Sequence, residues 1–394
     1  PPPPAAAAAN EAFAARLRRV ADPALLAALL QAGTPLAIPI RTELTRRGVA
    51  LPAVPAEMRT IGVLLPLSGR HAPFGEEVRR GLELARAERP ESPAAFVYRD
   101  TAAGTPVAQL IAELAAEPGL LGVLGPLTGG DAAAAAAAAD REGLPMLLLA
   151  PREGRTGGQV FRNALTMAAQ AETLAGYASS EGLQRFVIFH PATRTGELWA
   201  EQFQAAVESR GGRILTRHSY PAGTINLRDR LQALAASLRG ARPEALFIPD
   251  DARQVAQIIP QLAFARLDQV QLLGTNAWHD PELGRMAGPS SDGAVFVDGF
   301  FAGSPWPEVR DFAARYQAAY GAPATIFAAQ GYDAARIVQS LPAGPGDRAA
   351  LRRGLAALRD FPGVTGLTRF RPDGEAEKRL FLLQIQDGVP VQIN

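Results

Sequence analysis

The 394-residue chain contains no cysteine. That excludes disulfides, thiolate metal sites, a cysteine nucleophile and any lipid-bearing cysteine within these residues. Lysine is nearly absent as well: Lys378 is the only one, so arginine supplies almost all the positive charge. With the abundance of alanine, this bias points to a GC-rich genome more than to a function. Neither sign of charge dominates. Lys and Arg number 40 against 39 Asp and Glu, for a net charge of +1, which leaves no electrostatic case for nucleic acid or an anionic membrane. No apolar run reaches the about 18 residues of a membrane span. The sequence begins at Pro1 and shows no signal peptide, so it reads as a mature or trimmed fragment. The four histidines (His71, His190, His218 and His279) are scattered, without the His-x-x-His or His-Glu-x-x-His spacing of a metal site. There is no Gly-x-Ser-x-Gly elbow and no phosphate-binding P-loop. Residues 125 to 129 (Gly-Pro-Leu-Thr-Gly) lack the spacing of a dinucleotide-binding turn. Enzyme chemistry thus has no obvious carrier, and binding is the expected role.

What is present is an ordinary globular composition, 47% apolar and 20% charged, in a chain long enough for two lobes. The most informative stretch is Ile61 to Gly75. An apolar run to Leu65 ends in a turn at Pro66, Ser68 and Gly69; a second turn at Pro73 and Gly75 leads into a helix over Glu76–Glu88. A buried parallel strand delivering a polar loop and a helix start to one sheet edge is the place where open α/β sheets bind ligands.

Residues 1 to 10, rich in Pro and then Ala, read as disordered. Short helical patterns follow at Phe13–Val20, Pro23–Leu30 and Ile38–Arg47, and 51–57 reads as a linker. From Arg59 strands and helices alternate, which argues for parallel sheets. Strands are expected at Ile61–Leu65, Ala94–Tyr98, Leu121–Leu124 and Met146–Leu149, then at Phe186–Phe189, Ile214–Ser219, Ala245–Ile248, Gln271–Leu273 and Ala294–Gly299. One of the intervening helices is expected over Ala252–Ala263. The tail departs from the alternation: helices at Pro307–Tyr320, Ala328–Leu341 and Arg348–Leu358 precede a hairpin of Gly366–Arg371 and Arg379–Gln386 about Pro372-Asp373-Gly374.

Residues 61 to 85, Leu124 to Gly130, Gly143 to Leu147, Phe161-Arg162-Asn163, Phe186 to Glu197 and Gln330 to Ala334 together resemble the type I periplasmic binding proteins, the leucine/isoleucine/valine receptors of transporters. The resemblance runs from Arg59 to the C-terminus. It implies an α/β fold of two αβα lobes with parallel sheets, joined by a three-strand hinge. The crossovers would fall near Asn163–Met167, Val297–Phe301 and Val364–Arg369. The division implied is an extension over 1–58, one lobe of 59–164 plus 300–364, and a second of 165–299 plus 365–394. The Leu64 to Gly69 wording is also similar to the penicillin-binding protein activators, outer-membrane lipoproteins whose helical repeat domain precedes this fold. The helices of residues 11 to 48 would then be the stub of that domain.

The resemblance places candidate ligand contacts at the cleft. Ser68 aligns with a cleft serine whose hydroxyl can bond a ligand carboxylate; a turn bond at the helix start is the equal alternative. Phe74 stands where receptors place an aromatic against the ligand, with a buried packing role as the other reading. Thr128, Gly129 and Gly130 open a helix whose amides suit an anion. Receptors carry hydroxyl residues at the two glycines, and Asp131, read as the N-cap, opposes an anion there. Ala150 and Arg152 follow the fourth strand, and Arg152 can clamp an acidic ligand or simply be solvated. Thr195 falls where the family often has an aromatic; Trp199, one turn on, reads as core. Asp250 can hold a ligand ammonium, with Asp251 capping the next helix. Asn276 stands where receptors carry the acid that fixes an α-ammonium, so a simple amino acid is disfavoured. Trp278 and His279 either line the cleft or close the loop before Pro281. Gln330, Tyr332 and Asp333 read as structural or ligand-facing alike.

The expectation is a non-catalytic, extracytoplasmic solute-binding protein, periplasmic or attached to the outer membrane. It would hold an amino-acid-like or other small polar or acidic ligand for an ABC-type transporter or sensor, with a membrane permease as partner and no cofactor or metal. The alternative implied is a regulator of a peptidoglycan synthase, with a penicillin-binding protein as partner.

Overall fold

The computed structural model describes residues 22–26, 59–89, 94–344 and 346–394. The helices expected at Phe13–Val20 and Ile38–Arg47, and the linker at 51–57, lie outside the described residues; residues 23–26 form one helical turn.

The first series consists of β1 (Arg59–Leu65), α1 (Ala72–Ala87), β2 (Ala94–Asp100), α2 (Val107–Ala115), β3 (Leu120–Leu124), α3 (Gly129–Arg141), β4 (Met146–Leu148) and β5 (Val160–Arg162). Its strands form a parallel sheet in the order β2-β1-β3-β4-β5. β1 and β3 are buried on both faces, which is why they read as unbroken apolar runs rather than as alternation. α3 is mostly alanine, with eight in its 13 residues. Alanine favours the helix intrinsically, and Ala132, Ala135, Ala136, Ala138 and Ala139 are all buried.

The second series consists of α4 (Met167–Ser180), β6 (Arg185–Pro191), α5 (Arg194–Glu208), β7 (Arg213–Tyr220), α6 (Arg228–Ser237), β8 (Ala245–Phe247), α7 (Ala252–Ile258), β9 (Gln271–Gly274), α8 (Pro281–Ala287) and β10 (Val295–Asp298). The helix expected over Ala252–Ala263 is α-helical only to Ile258 and continues as a 3-10 helix over Ile259–Ala265. Pro260 supplies no N–H to the α ladder, and the tighter turn takes over.

The tail contributes α9 (Pro307–Tyr320), α10 (Ile326–Ser340), α11 (Arg348–Ala357), β11 (Phe361–Gly363), β12 (Gly366–Phe370), β13 (Ala376–Lys378), β14 (Phe381–Gln386) and β15 (Val389–Gln392). The expected hairpin exists, but β12 pairs with the short β13 and not with the strand that follows. β11, β12 and β13 make a small antiparallel sheet, and β14 joins the second large sheet, ordered β15-β14-β10-β9-β8-β6-β7. The third crossover therefore lies at Arg379–Leu380, later than Val364–Arg369. The other two connect β5 to α4 and β10 to α9.

One helix crossing positions the site. α10 lies against α1, and a Cβ at Gly81 would overlap the Ala328 carbonyl oxygen, while one at Gly331 would overlap that of Val78. The two glycines let the backbones touch. α10 then carries Ile326, Phe327 and Gln330 to the space between the lobes and Asp333 to the turn between β11 and β12. The buried Asp333 carboxylate accepts from the Val364 and Thr365 amides, each at 2.8 Å, and from the Thr365 hydroxyl.

Candidate functional site

A cavity of about 340 Å³ lies between the lobes. Leu127, Leu149 and Arg152 come from the first series, and Met167, Gln170, Trp199 and Asn276 from the second. Asn163, Leu165, Gly299 and Leu380 come from the connectors, Thr365 from the turn between β11 and β12, and Lys378 from the end of β13. Most of the lining is apolar, and no carboxylate belongs to it. A second, more polar depression of about 480 Å³ adjoins it, sharing Pro151, Arg152, Met167 and Lys378.

Of the residues expected at the site, Arg152 and Asn276 line the cavity. Arg152 is exposed, and among the described residues neither side chain has a hydrogen-bond or ion-pair partner. Phe74 is not part of the lining, but its ring lies 4.9 Å from that of Phe327, which is.

The loop candidates are occupied within their own lobe. Ser68 gives its hydroxyl to Asp100, which also accepts from backbone amides including those of Leu67 and Ala102. Burial would raise the Asp100 carboxyl, but these donors outweigh it and hold the group below its ordinary range. Thr128 is the N-cap of α3, and its hydroxyl donates to Asp131 at 2.7 Å. The cap is thus Thr128 and not Asp131, whose charge lies in the first turn. Gly129 and Gly130 border a separate open depression beside Arg152 and Glu153.

Four candidates do not reach the cavity. Ala150 is fully buried, and its carbonyl accepts from Arg162 at 2.6 Å. Thr195 is exposed in the first turn of α5, which Thr193 caps. Asp250 accepts from the Tyr220 hydroxyl at 2.7 Å; burial raises its carboxyl against that bond, while Asp251 caps α7 as expected. Trp278 is fully buried, stacked under Gly274 with its indole N–H on the Ile248 carbonyl. Its large ring fills the second lobe's core; Trp199 is buried in the core beside Phe247, as expected, and also lines the cleft.

Two floor residues, Asn163 and Lys378, were not singled out as ligand contacts, while Gln330 was read as structural or ligand-facing alike. Asn163 is fully buried at the cavity wall, yet neither atom of its carboxamide has a hydrogen-bond partner. Lys378 is half-buried, and its Nζ donates to the Thr365 and Thr368 hydroxyls at 2.7 and 3.0 Å. Burial pushes its ammonium down from 10.5 to about 8, against the pull of Asp333. Its singularity in an arginine-rich chain was the one signal in the sequence. Gln330 is structural: its amide bonds the Leu149 and Asn163 carbonyls at 2.8 and 2.7 Å, tying α10 to β4 and the first connector. Among the described residues no group of acidic, histidine or cysteine side chains could hold a metal ion, and no helix is long and apolar enough to cross a membrane.

The fold has known counterparts. A protein from Rhodospirillum rubrum described as a branched-chain amino acid ABC transporter is 26% identical. The match covers 85% of this chain and 100% of that one, with a TM-score of 0.77. An ABC transporter substrate-binding protein from Desulfitobacterium hafniense is 25% identical over 86% of this chain and 100% of its own, with a TM-score of 0.66. A solute-binding protein from R. palustris, in complex with benzoate, shares the fold at 22% identity over 85% of this chain and 95% of that one, with a TM-score of 0.57. No curated protein matches the sequence. The family model described as periplasmic binding protein matches residues 59–389. The chain belongs to the periplasmic binding protein family, whose members bind solutes outside the cytoplasm and are not enzymes.

Proposed function

We propose that this protein captures a small organic solute between its lobes and presents it to an ABC-type permease. The observation that carries this reading is the cavity itself. It is walled by both lobes and by the connectors between them, so a ligand there touches every part that a hinge motion would bring together. The likeness to the R. rubrum and D. hafniense proteins, both described as components of ABC transporters, supports the same role. Asn276 is neutral and the lining holds no carboxylate, which argues against a simple amino acid and for a ligand with an apolar body and polar head.

Trp199 supplies a readout. It is one of three tryptophans and lines the cavity, so capture of a solute should change the emission of the protein and leave a Trp199→Phe variant silent. Titration with amino acids, aromatic and aliphatic acids and short peptides is expected to yield at least one binder with a matching heat. A silent panel would overturn the reading. Retention of a peptidoglycan synthase by the full chain, with no solute bound, would replace it with the regulatory one.

A further inference from the structure

We propose that the floor of the cleft is an anion seat, in which Lys378 and Asn163 hold the carboxylate-type head of a ligand whose apolar body rests against Leu127, Trp199 and Phe327. The inference rests on the solute-capture reading and assigns that cavity its ligand class: an organic monoanion without an ammonium group.

Two independent features converge on the floor. An ammonium has three N–H donors, and Lys378 spends two of them on Thr365 and Thr368. Both acceptors are neutral hydroxyls. Thr365 passes its own proton to Asp333, and Thr368 passes its proton to the Gly366 carbonyl. Among the described residues no carboxylate comes within ion-pair distance of Nζ, so the third donor and most of the charge remain for something in the cavity. The second feature is Asn163. Its carboxamide is fully buried and bonded to nothing, an arrangement that native proteins seldom keep without a reason. It borders the same cavity, and a ligand head with two oxygens can accept from its Nδ2 and from Nζ together.

Charge selects the class. The only ionic groups of the lining are Lys378 and Arg152, both positive. A ligand ammonium would meet no counter-charge, and Asn276 offers only a neutral carboxamide. Asp333 is already saturated by the turn between β11 and β12. The remaining lining is apolar and aromatic, which suits a hydrocarbon body. The seat also sits on the connectors, with Asn163 on the first and Lys378 beside the third, so the head would bind where the lobes pivot.

The test compares matched probes on the full chain by calorimetry: benzoate, phenylacetate and isocaproate, their neutral amides, and zwitterionic leucine and phenylalanine. The acids are expected to bind about ten- to a hundredfold more tightly than their amides, the loss typical of one charge-assisted hydrogen bond, and more tightly than the zwitterions. Lys378→Met should abolish that preference, and Lys378→Arg should keep part of it. Equal binding of acid and amide, or a preference untouched in Lys378→Met, would overturn the seat and leave solute capture standing. Binding by no probe and no other small molecule would overturn both. The acid–amide comparison needs no variant, so it decides even if Lys378→Met fails to fold.

Discussion

The rim and the floor of the cleft use the same kinds of side chain differently. At the rim, polar groups are consumed locally: the Ser68 hydroxyl goes to Asp100 and that of Thr128 to Asp131. These bonds shape the loops after β1 and β3. At the floor, the Asn163 carboxamide makes no bond and Lys378 keeps a donor and a charge in reserve. A buried polar group that is satisfied contributes to stability, whereas one left open costs stability until a ligand arrives. The difference teaches that the loops build the shape of the cleft and the hinge region supplies its chemistry.

The comparison can be broken most severely at Asp333. Replacing it with alanine leaves the Val364 and Thr365 amides and a threonine hydroxyl without their acceptor. The expected loss is about 3 kcal/mol or more of unfolding free energy, read by chemical denaturation. A stability within experimental error of the parent would mean that the floor is not held by α10.

Lys378→Met sharpens the contrast, since it should weaken acid binding about tenfold or more while unfolding no more easily than the parent. Removing a desolvated ammonium relieves a burial cost, so any stability change should be a gain.

Asn163→Leu separates stability from function at one position. Replacing an unbonded buried carboxamide with an apolar group of similar size should raise the stability of the unliganded protein by about 1–2 kcal/mol. Ligand affinity should fall at the same time. A loss of both would show that the carboxamide is part of the scaffold.

The pH profile tests the same floor without mutation. Around Lys378 stand Asp333 on α10, Arg152 after β4, Arg162 on β5, Glu172 on α4, and Arg371, Glu375 and Glu377 on its own hairpin. Each of these carboxylates already has a guanidinium or backbone partner, so the titration belongs mainly to the lysine. With its ammonium lowered to about 8, affinity for an acid should fall as pH rises past about 8, and binding near that pH should take up a proton. Stability of the unliganded protein should move oppositely. The unfolded chain holds the proton up to about 10.5, so the lysine weakens the fold below about pH 8, and the penalty fades as pH climbs toward 10.5. A Lys378→Met variant should lose both trends.

The smallest effect is expected at the rim. Ser68→Ala removes one donor from Asp100 and should cost about 0.5–1.5 kcal/mol, with ligand affinity nearly unchanged. Because the Asp100 carboxyl lies below its ordinary value, that contribution is present at neutral pH and fades as pH falls below 3.8 and through the folded value. A large loss of affinity in Ser68→Ala would reverse the assignment of rim and floor.

Much of the architecture could be read from the chain. The alternation of apolar runs with amphipathic segments marked the long strands and helices, because burial on two faces or on one stripe leaves a periodic imprint. The short strands β5, β11 and β13 carried no such imprint, although β4 and β8, equally short, did. Ser68 and Thr128 had the right chemistry for a ligand and spent it on neighbours. Trp278 went inside instead of to the cleft because the bare backbone of Gly274 makes room for its ring.

Sequence alone thus determined the two-lobed α/β plan, the absence of catalytic and metal chemistry from cysteine, and the neutral residue at Asn276. Local periodicity and residue type are properties of the chain. Only the tertiary structure decided which polar groups remain open, because saturation of a donor depends on partners far away in the sequence. Asn163 and Lys378 are more than two hundred residues apart, and nothing in either segment shows that the fold brings them to one cavity.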